Sequence, residues 1–299
     1  MNPDRTPHPS DPRRRLKPVS NPVKPVSNLA TARRSSIRVR AAVATALVAV
    51  LILATQRPAA AVEQELGPLP ASAIPGYITA AVNSPDRPAA DKDKDASRDP
   101  AQMMAFFGIK PGMKVADIWA AGGYTTELLA RIVGPTGTVY SQNAPFPAKF
   151  KDAETAWHDR LKEPGLGNVV EVTKGFDQPD FLGVPPATLD AALINLNYHD
   201  LIARGFDTAR FNQAVFRALK PGGIFGTVDN SAQPGSGARD AATLHRIDEQ
   251  LEIAQIEKAG FRLVAASSLY RNPHDPRTQP FWKLDHHQDR FMLKFVKPR

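Results

Sequence analysis

Short apolar runs alternate with amphipathic runs of helical period along residues 114–296, and this alternation constrains the fold more than any other feature of the chain. The clearest run, residues 189–195, is continuously apolar from Ala191 to Ile194, as expected of a strand covered on both faces. Strands that alternate with helices form a mostly parallel sheet with helices on both faces. The sequence therefore predicts an α/β fold, and ligands of such sheets bind at the carboxyl ends of the strands.

Seven strands and five helices are predicted from these patterns. The strands fall at residues 114–119, 137–141, 169–172, 189–195, 224–228, 261–265 and 291–296. The helices fall at residues 101–107, 124–133, 148–161, 208–219 and 239–259. The last of these is expected to be one long helix, because Leu244, Ile247 and Leu251 form a single apolar stripe and Gly260 supplies a stop.

The first 61 residues are predicted to be a disordered basic extension that ends in a signal peptide. A basic stretch precedes the uncharged apolar run 41–56, and Ala59-Ala60-Ala61 offers a cleavage site. We therefore expect an exported or periplasmic protein with no stable membrane span after cleavage. Arg33-Arg34 is compatible with a twin-arginine route. The alternative is an uncleaved signal that anchors the chain in a membrane.

We divide the rest of the chain into an N-terminal extension with a capping helix (62–110) and a main domain (111–299). Composition excludes several functions for this part of the chain. Residues 1–61 hold 11 of the 38 basic side chains but only 2 of the 30 acidic ones, so the net charge of +8 is no argument that the main domain binds nucleic acid. The absence of cysteine excludes disulfides, thiolate metal sites and a cysteine nucleophile. The charge run 91–95 is interpreted as solvated surface.

A loop of small residues after the first predicted strand is the strongest functional signal. Asp117 lies inside that strand, and the loop from Ala120 to Gly123 leads directly into a helix. Small residues let a nucleotide-like ligand approach the main chain, and the start of the helix offers unpaired N–H groups. A carboxylate in a buried strand indicates a polar function, because it would be costly without a partner. An ordinary tight turn between strand and helix is the alternative.

This segment resembles the first motif of class I S-adenosylmethionine-dependent methyltransferases, in which an acid precedes a small-residue loop. Trp119 and Ala121 stand where the common pattern has glycine, and Gly122 and Gly123 remain. The turn Lys220-Pro221-Gly222-Gly223 and the terminal order of helix, strand, loop and strand are similar to the same superfamily. The resemblance implies a Rossmann-like, mostly parallel seven-stranded sheet with a C-terminal antiparallel strand, and S-adenosyl-L-methionine as the cofactor.

The resemblance also implies which residues hold the cofactor. Asn143 stands where the superfamily places an acid for the ribose, and Asp177 stands in the position of an acid that contacts the adenine amino group. The implied cofactor-binding residues are Asp117, Trp119, Ala121, Gly122, Gly123, Asn143, Asp177 and Asn195.

Longer stretches resemble a poorly characterised subgroup of predicted exported bacterial methyltransferases. They include Asp86-Arg87-Pro88, the run 106–112, Asn197-Tyr198-His199-Asp200-Leu201, the run 229–232 and His245-Arg246-Ile247-Asp248. The resemblance covers nearly all of residues 62–299 and supplies no substrate.

Residues that follow the fourth and fifth strands are the candidates for catalysis. His199 is the best general base, Asn197 could orient an acceptor, Tyr198 could stack on it, and Asp229 could bind a cation or accept a proton. The alternatives are that His199 only ties its loop to the domain and that Asp229 caps a turn. No metal site is predicted, because the remaining histidines show no convergent spacing.

These observations favour methyl transfer from S-adenosylmethionine to a small-molecule acceptor. Export conflicts with a cofactor that is made in the cytoplasm. A non-catalytic exported ligand-binding module on the same fold and a nicotinamide-dependent oxidoreductase therefore remain as alternatives. The sequence leaves the oligomeric state open.

Overall fold

The computed structural model of the chain describes residues 65–299. The predicted basic extension and signal peptide lie outside the described residues, so export and membrane anchoring stay predictions. None of the helices described within residues 65–299 has the length and apolar character needed to cross a membrane.

Eight strands form one sheet in the described part of the chain, and they include all seven that were predicted. In chain order they are β1 (Glu65–Leu66), β2 (Lys114–Ile118), β3 (Thr138–Asn143), β4 (Val169–Thr173), β5 (Leu189–Asn195), β6 (Leu219–Asn230), β7 (Arg262–Ser267) and β8 (Arg290–Val296). The additional strand, β1, is a two-residue edge strand that runs parallel to β7.

The order of the strands in the sheet is β1-β7-β8-β6-β5-β2-β3-β4. β8 is antiparallel to both of its neighbours, β6 and β7, whereas the other pairs are parallel. The prediction of a mostly parallel seven-stranded sheet with a C-terminal antiparallel strand is confirmed. The chain leaves β2 in one direction through β3 and β4 and returns to its other side at β5, so the switch point lies between β2 and β5.

Helices cover both faces of this sheet. In chain order they are α1 (Gly76–Val82), α2 (Ala89–Lys92), α3 (Asp95–Arg98), α4 (Pro100–Phe107), α5 (Tyr124–Val133), α6 (Lys151–Arg160), α7 (Tyr198–Ala203), α8 (Thr208–Ala218), α9 (Ala241–Leu244) and α10 (Glu249–Lys258). Pro100 begins α4 and Gly108 ends it in the left-handed conformation, as predicted from the sequence.

Alternate residues of the central strands belong to two separate cores. Ala192 and Ile194 of β5 pack with α7, α8 and α10 on one face. Ala191 and Leu193 pack with α1, α4 and α5 on the other face. Residues of the predicted extension, such as Ile78 and Phe107, thus share a core with the central strands.

The prediction of one long helix at 239–259 is wrong, because the helix is interrupted at His245. That residue is left-handed, with φ of 50°, and ends α9. Ile247 then forms a short β-bridge with Ser231, and Asp248 begins α10 by accepting a hydrogen bond from the Gln250 N–H at 3.0 Å. Arg246 is fully buried and donates to the Ser231 carbonyl at 2.8 Å. The apolar stripe continues with helical spacing across this interruption, so the spacing of the apolar residues could not reveal that the helix ends.

The charge run 91–95 is also more than solvated surface. Asp91 is only 4% exposed and pairs with Arg160, a residue of α6. Asp95 accepts two hydrogen bonds from the Arg87 guanidinium and one from the Tyr124 hydroxyl, the latter at 2.6 Å. The extension is therefore anchored to the first turn of α5, next to the small-residue loop.

Candidate functional site

The loop between β2 and α5 adopts the left-handed conformation at three alternate residues. Trp119, Ala121 and Gly123 have φ angles of 58°, 49° and 82°. The left-handed conformation costs a residue with a side chain about 1–2 kcal/mol relative to the right-handed one. The loop therefore keeps a conformation suited to glycine at the two positions where this chain has none.

Two amide side chains from the end of β3 hold this loop. Gln142 accepts a hydrogen bond from the Trp119 N–H at 3.2 Å. Asn143 accepts one from the Ala121 N–H at 2.8 Å and donates one to the Ala121 carbonyl at 3.3 Å. Asn143 had been predicted to meet a ribose, but in this structure its amide is engaged by the loop main chain. Gln142 was not among the predicted residues.

Asp117 faces the start of α5 from within β2 and is almost fully buried. Its carboxylate accepts a hydrogen bond from the Thr126 hydroxyl at 2.6 Å, and that hydroxyl lies 3.0 Å from the Ser141 hydroxyl. Burial raises the pKa of Asp117 to about 7, against the opposing effect of the hydrogen bond from Thr126. Asp117 thus links β2 to the first turn of α5 through Thr126.

The two glycines of the loop differ in what surrounds them. A Cβ on Gly123 would overlap the Trp157 ring of α6, whereas a Cβ on Gly122 would meet no atom within 4 Å. The Gly122 carbonyl accepts a hydrogen bond from Arg160 at 2.9 Å. Gly123 is therefore required by packing inside the protein, and the open surface of the loop is at Ala121 and Gly122, which are both exposed.

Trp119 covers the neighbouring side of the loop. Its ring stacks against Phe176 with a centroid distance of 4.6 Å, and the Arg204 guanidinium lies 4.8 Å from the centre of the Trp119 ring. Phe176 follows β4, and the next residue, the predicted adenine contact Asp177, is exposed. Asp177 thus directly follows the residue whose ring packs on Trp119.

Asn195 and Asn197 follow β5 on the opposite side of the switch point. Asn197 donates to the Asn195 carbonyl at 3.0 Å and to the Trp119 carbonyl at 3.4 Å. Asn195 lies with its amide nitrogen 3.7 Å from the sulfur of Met103, in the capping helix α4. Asn197 therefore joins the β5 loop to the β2 loop, and the roles of the two asparagines towards cofactor and acceptor stay predictions.

Tyr198 does not face this crevice. Its side chain is fully buried in the core beneath α7 and α8. Its hydroxyl donates to Gln255 at 3.1 Å and accepts from Asn212 at 2.8 Å. The predicted stacking of Tyr198 on an acceptor is inconsistent with this position, because the first turn of α7 directs the side chain into the core.

His199 and Asp229 form a buried pair at the ends of β5 and β6. Asp229 accepts from the main-chain N–H of His199 at 2.8 Å, and its other carboxylate oxygen lies 2.6 Å from His199 Nδ1. Burial by itself would lower the pKa of His199, but the Asp229 carboxylate outweighs it, so the pKa lies above its ordinary value. Asp229 is fully buried and also accepts from the Asn230 N–H at 2.7 Å.

The other ring nitrogen of His199 faces Asp200 and His245, which belong to two of the runs that carry the resemblance but are not among the predicted site residues. His199 Nε2 lies 3.2 Å from His245 Nδ1 and 3.8 Å from Asp200. The break that ends α9 brings His245 to this position. Spacing gave no signal for this cluster, since His245 is 46 residues from His199 and was placed on a continuous helix.

The loop offers small, exposed residues to an adenosyl group, but it lacks a free carboxylate for the ribose. Gly123, at the start of α5, supplies no side-chain cap, but Asp117 accepts a hydrogen bond from the Thr126 N–H in the first turn. Ala121 and Gly122, just before the helix, are exposed. The ribose position, in contrast, has the engaged amide of Asn143 in place of a free carboxylate. Because Asn143 and Arg160 occupy the Ala121 N–H, the Ala121 carbonyl and the Gly122 carbonyl, an adenosyl group would meet the loop chiefly by packing on its small residues.

Gly123→Ala is expected to destabilise the protein by about 2–4 kcal/mol, because it adds left-handed strain and overlaps Trp157. Gly122→Ala is the matched control and should change stability by less than about 0.5 kcal/mol. Urea unfolding of both variants measures this difference. Equal stabilities would show that Trp157 does not pack on Gly123.

Asp117→Asn is expected to change how stability depends on pH. The folded-state pKa of about 7 lies above the ordinary value of 3.8, so the folded state binds the proton more tightly and stability falls as pH rises from about 4 to about 7. The asparagine variant lacks this contribution, and its free energy of unfolding should fall less over that range. Asp152→Asn, which changes an exposed carboxylate of α6, should follow the wild-type profile. Parallel profiles for wild type and Asp117→Asn would contradict the raised pKa.

Comparisons with known proteins agree with the fold. No family model matches the chain. A sterol 24-C-methyltransferase, ERG6A of Gibberella zeae, is 34% identical over 125 residues, which are 41% of this chain. The chain spans only 29% of the length of that relative.

Two solved structures share the architecture at low sequence identity. A SAM-dependent methyltransferase from Aquifex aeolicus matches 71% of this chain and 98% of its own, with a TM-score of 0.51 and 18% identity. The [4+2]-cyclase SpnF matches 70% of this chain and 81% of its own, with a TM-score of 0.50 and 16% identity. At these identities the comparisons show the fold: the chain has the Rossmann-like fold of class I S-adenosylmethionine-dependent methyltransferases.

Proposed function

We propose that this chain is an S-adenosylmethionine-dependent methyltransferase that acts on a small-molecule acceptor. The observation that carries the proposal is the loop after β2, which is left-handed at Trp119, Ala121 and Gly123. In this conformation Ala121 and Gly122 are exposed directly before α5, which begins after Gly123. It lies at the switch point of the sheet, where ligands of such folds bind.

The cofactor would lie over the loop, with its adenosyl group against small residues. Ala121 and Gly122 allow close approach, and the Trp119–Phe176 ring pair supplies apolar surface beside them. The exposed carboxylate of Asp177 is the residue available to the adenine amino group. Asp117 would not touch the cofactor and would instead hold Thr126 and the first turn of α5 in place.

Asn143 would contribute by positioning the loop. Both ends of its amide are bound to Ala121, so it orients the peptide that faces the cofactor. Contact with the ribose would require the Asn143 side chain to exchange one of these bonds. Asn195 and Asn197 would line the opposite wall of the crevice.

The acceptor would bind at the carboxyl ends of β5 and β6. Methyl transfer from a sulfonium is an in-line displacement, so the enzyme has mainly to align donor and acceptor. When the acceptor atom carries a proton, a base must remove it. Nε2 of His199 is the ring nitrogen that Asp229 leaves available, so the general-base role predicted for His199 would be carried out by that atom.

The fold alone does not fix the reaction, since a [4+2]-cyclase shares it. Export through the predicted signal peptide belongs to the proposal as well and would require the cofactor to travel with the folded protein. The rival proposed from the sequence, a non-catalytic module, draws support from the engaged amide of Asn143.

Isothermal titration calorimetry of the purified full chain with S-adenosylmethionine and S-adenosylhomocysteine tests the proposal. We expect both ligands to bind with micromolar or better affinity and NADPH to give no heat. Gly122→Val should weaken binding of both at least about tenfold, because its side chain enters the space above the loop. Gly167→Val is the matched control, since Gly167 is also exposed with no atom within 4 Å of an added Cβ.

Three other results would contradict the proposal. Absence of heat with either ligand at millimolar concentration would favour the non-catalytic module. Binding of NADPH instead would favour an oxidoreductase. Equal affinities for the Gly122→Val and Gly167→Val variants would remove the loop from the cofactor site.

A further inference from the structure

The cluster of His199, Asp200 and His245 brings three potential metal ligands to one point. One ligand atom from each residue can be chosen so that all lie within 4.8 Å of one another. His199 Nε2 is 3.2 Å from His245 Nδ1, and His245 Nδ1 is 3.4 Å from an oxygen of Asp200. Two nitrogen ligands on one tetrahedral zinc ion lie about 3.3 Å apart, since each Zn–N bond is about 2.0–2.1 Å. The spacing in the cluster is therefore that of ligands that share an ion.

Asp229 prepares His199 for this role. The carboxylate accepts from Nδ1, which fixes the hydrogen on that nitrogen and directs the lone pair of Nε2 towards His245. A carboxylate bound to the far nitrogen of a ligating histidine is the usual outer-shell partner in metalloproteins. Asp229 is fully buried and is itself held by the Asn230 N–H, so this orientation is rigid.

The main chain at His245 also holds the cluster together. His245 is left-handed, with φ of 50°, and its carbonyl accepts from the Asn230 side chain at 3.1 Å. Its ring packs against Trp282 with a centroid distance of 5.2 Å. Strain of this kind persists only where the surroundings enforce it, and it is concentrated at functional sites. The strain at His245 places Nδ1 within reach of both Asp200 and His199.

We propose that His199, Asp200 and His245 bind a divalent transition-metal ion, with Zn²⁺ favoured by the ligand set. Two imidazoles and one carboxylate suit Zn²⁺ or Fe²⁺ better than Mg²⁺ or Ca²⁺, which prefer oxygen ligands alone. The three side chains leave at least one coordination position open, as in catalytic zinc sites. The ion can enter from the side of His245, whose side chain is 35% exposed while that of His199 is 1% exposed.

The metal site does not rest on the proposed methyl transfer, because its ligands are distinct from the loop that would hold the cofactor. The ion and the general-base role of His199 exclude each other, since both use Nε2. With an ion bound, His199 is a ligand, and Asp229 is a positioning residue that acts through it.

The test is a titration of the metal-free full chain with ZnCl₂, followed by calorimetry and without any cofactor present. We expect one Zn²⁺ per chain. His245→Ala and Asp200→Asn should each abolish stoichiometric binding, and Asp229→Asn should weaken it by about 10–100-fold. His274→Ala, which changes an exposed histidine outside the cluster, should bind as the wild type does.

Substitution with Co²⁺ gives a second readout, because its visible absorption spectrum reports the ligand set. We expect a spectrum of bound Co²⁺ in the wild type that is lost in His245→Ala. Circular dichroism should show that this variant is folded, as its partly exposed side chain allows. Wild-type chain that binds no Zn²⁺, or variants of His245 and Asp200 that bind it as the wild type does, would overturn the proposal. Because the cofactor titration is separate, failure of one proposal leaves the other standing.

Discussion

Two side-chain amides at the end of β3 hold the turn that follows β2, and the geometry of the candidate site depends on them. Gln142 and Asn143 bind the N–H groups of Trp119 and Ala121, two residues in the left-handed conformation. Without glycine at these positions the conformation is strained by about 1–2 kcal/mol for each residue. It is kept because hydrogen bonds from the neighbouring strand determine it. The same bonds leave the main chain of Ala121 and Gly122 facing outward.

The surrounding parts of the protein support this turn from three directions. Asp117 and Thr126 join β2 to the first turn of α5, and Trp157 packs against Gly123. Arg160 connects the Gly122 carbonyl to Asp91 in the N-terminal extension. The extension is thus linked by charge to the loop as well as by apolar packing to the core.

The sequence predicted the sheet well because burial imposes continuous apolar runs on its strands. β5 was predicted to the residue, and the small-residue loop was located by its position after β2. The helix break at His245 could not be predicted, since Leu244, Ile247 and Leu251 keep helical spacing across it. Tyr198 was misplaced because a polar motif after a strand does not reveal which of its side chains turn into the core. The engagement of Asn143 depends on a contact 22 residues away. The cluster of His199 and His245 likewise forms only through tertiary structure.

In the proposed function, the loop at Ala121 and Gly122 forms the cofactor-binding surface. A crystal structure of the chain grown with S-adenosylhomocysteine tests it most directly. We expect electron density for the nucleoside against Ala121 and Gly122, with Gly123 still covered by Trp157. Density that shows the crevice closed by the Trp119 and Phe176 rings, with no nucleoside against the loop, would contradict it.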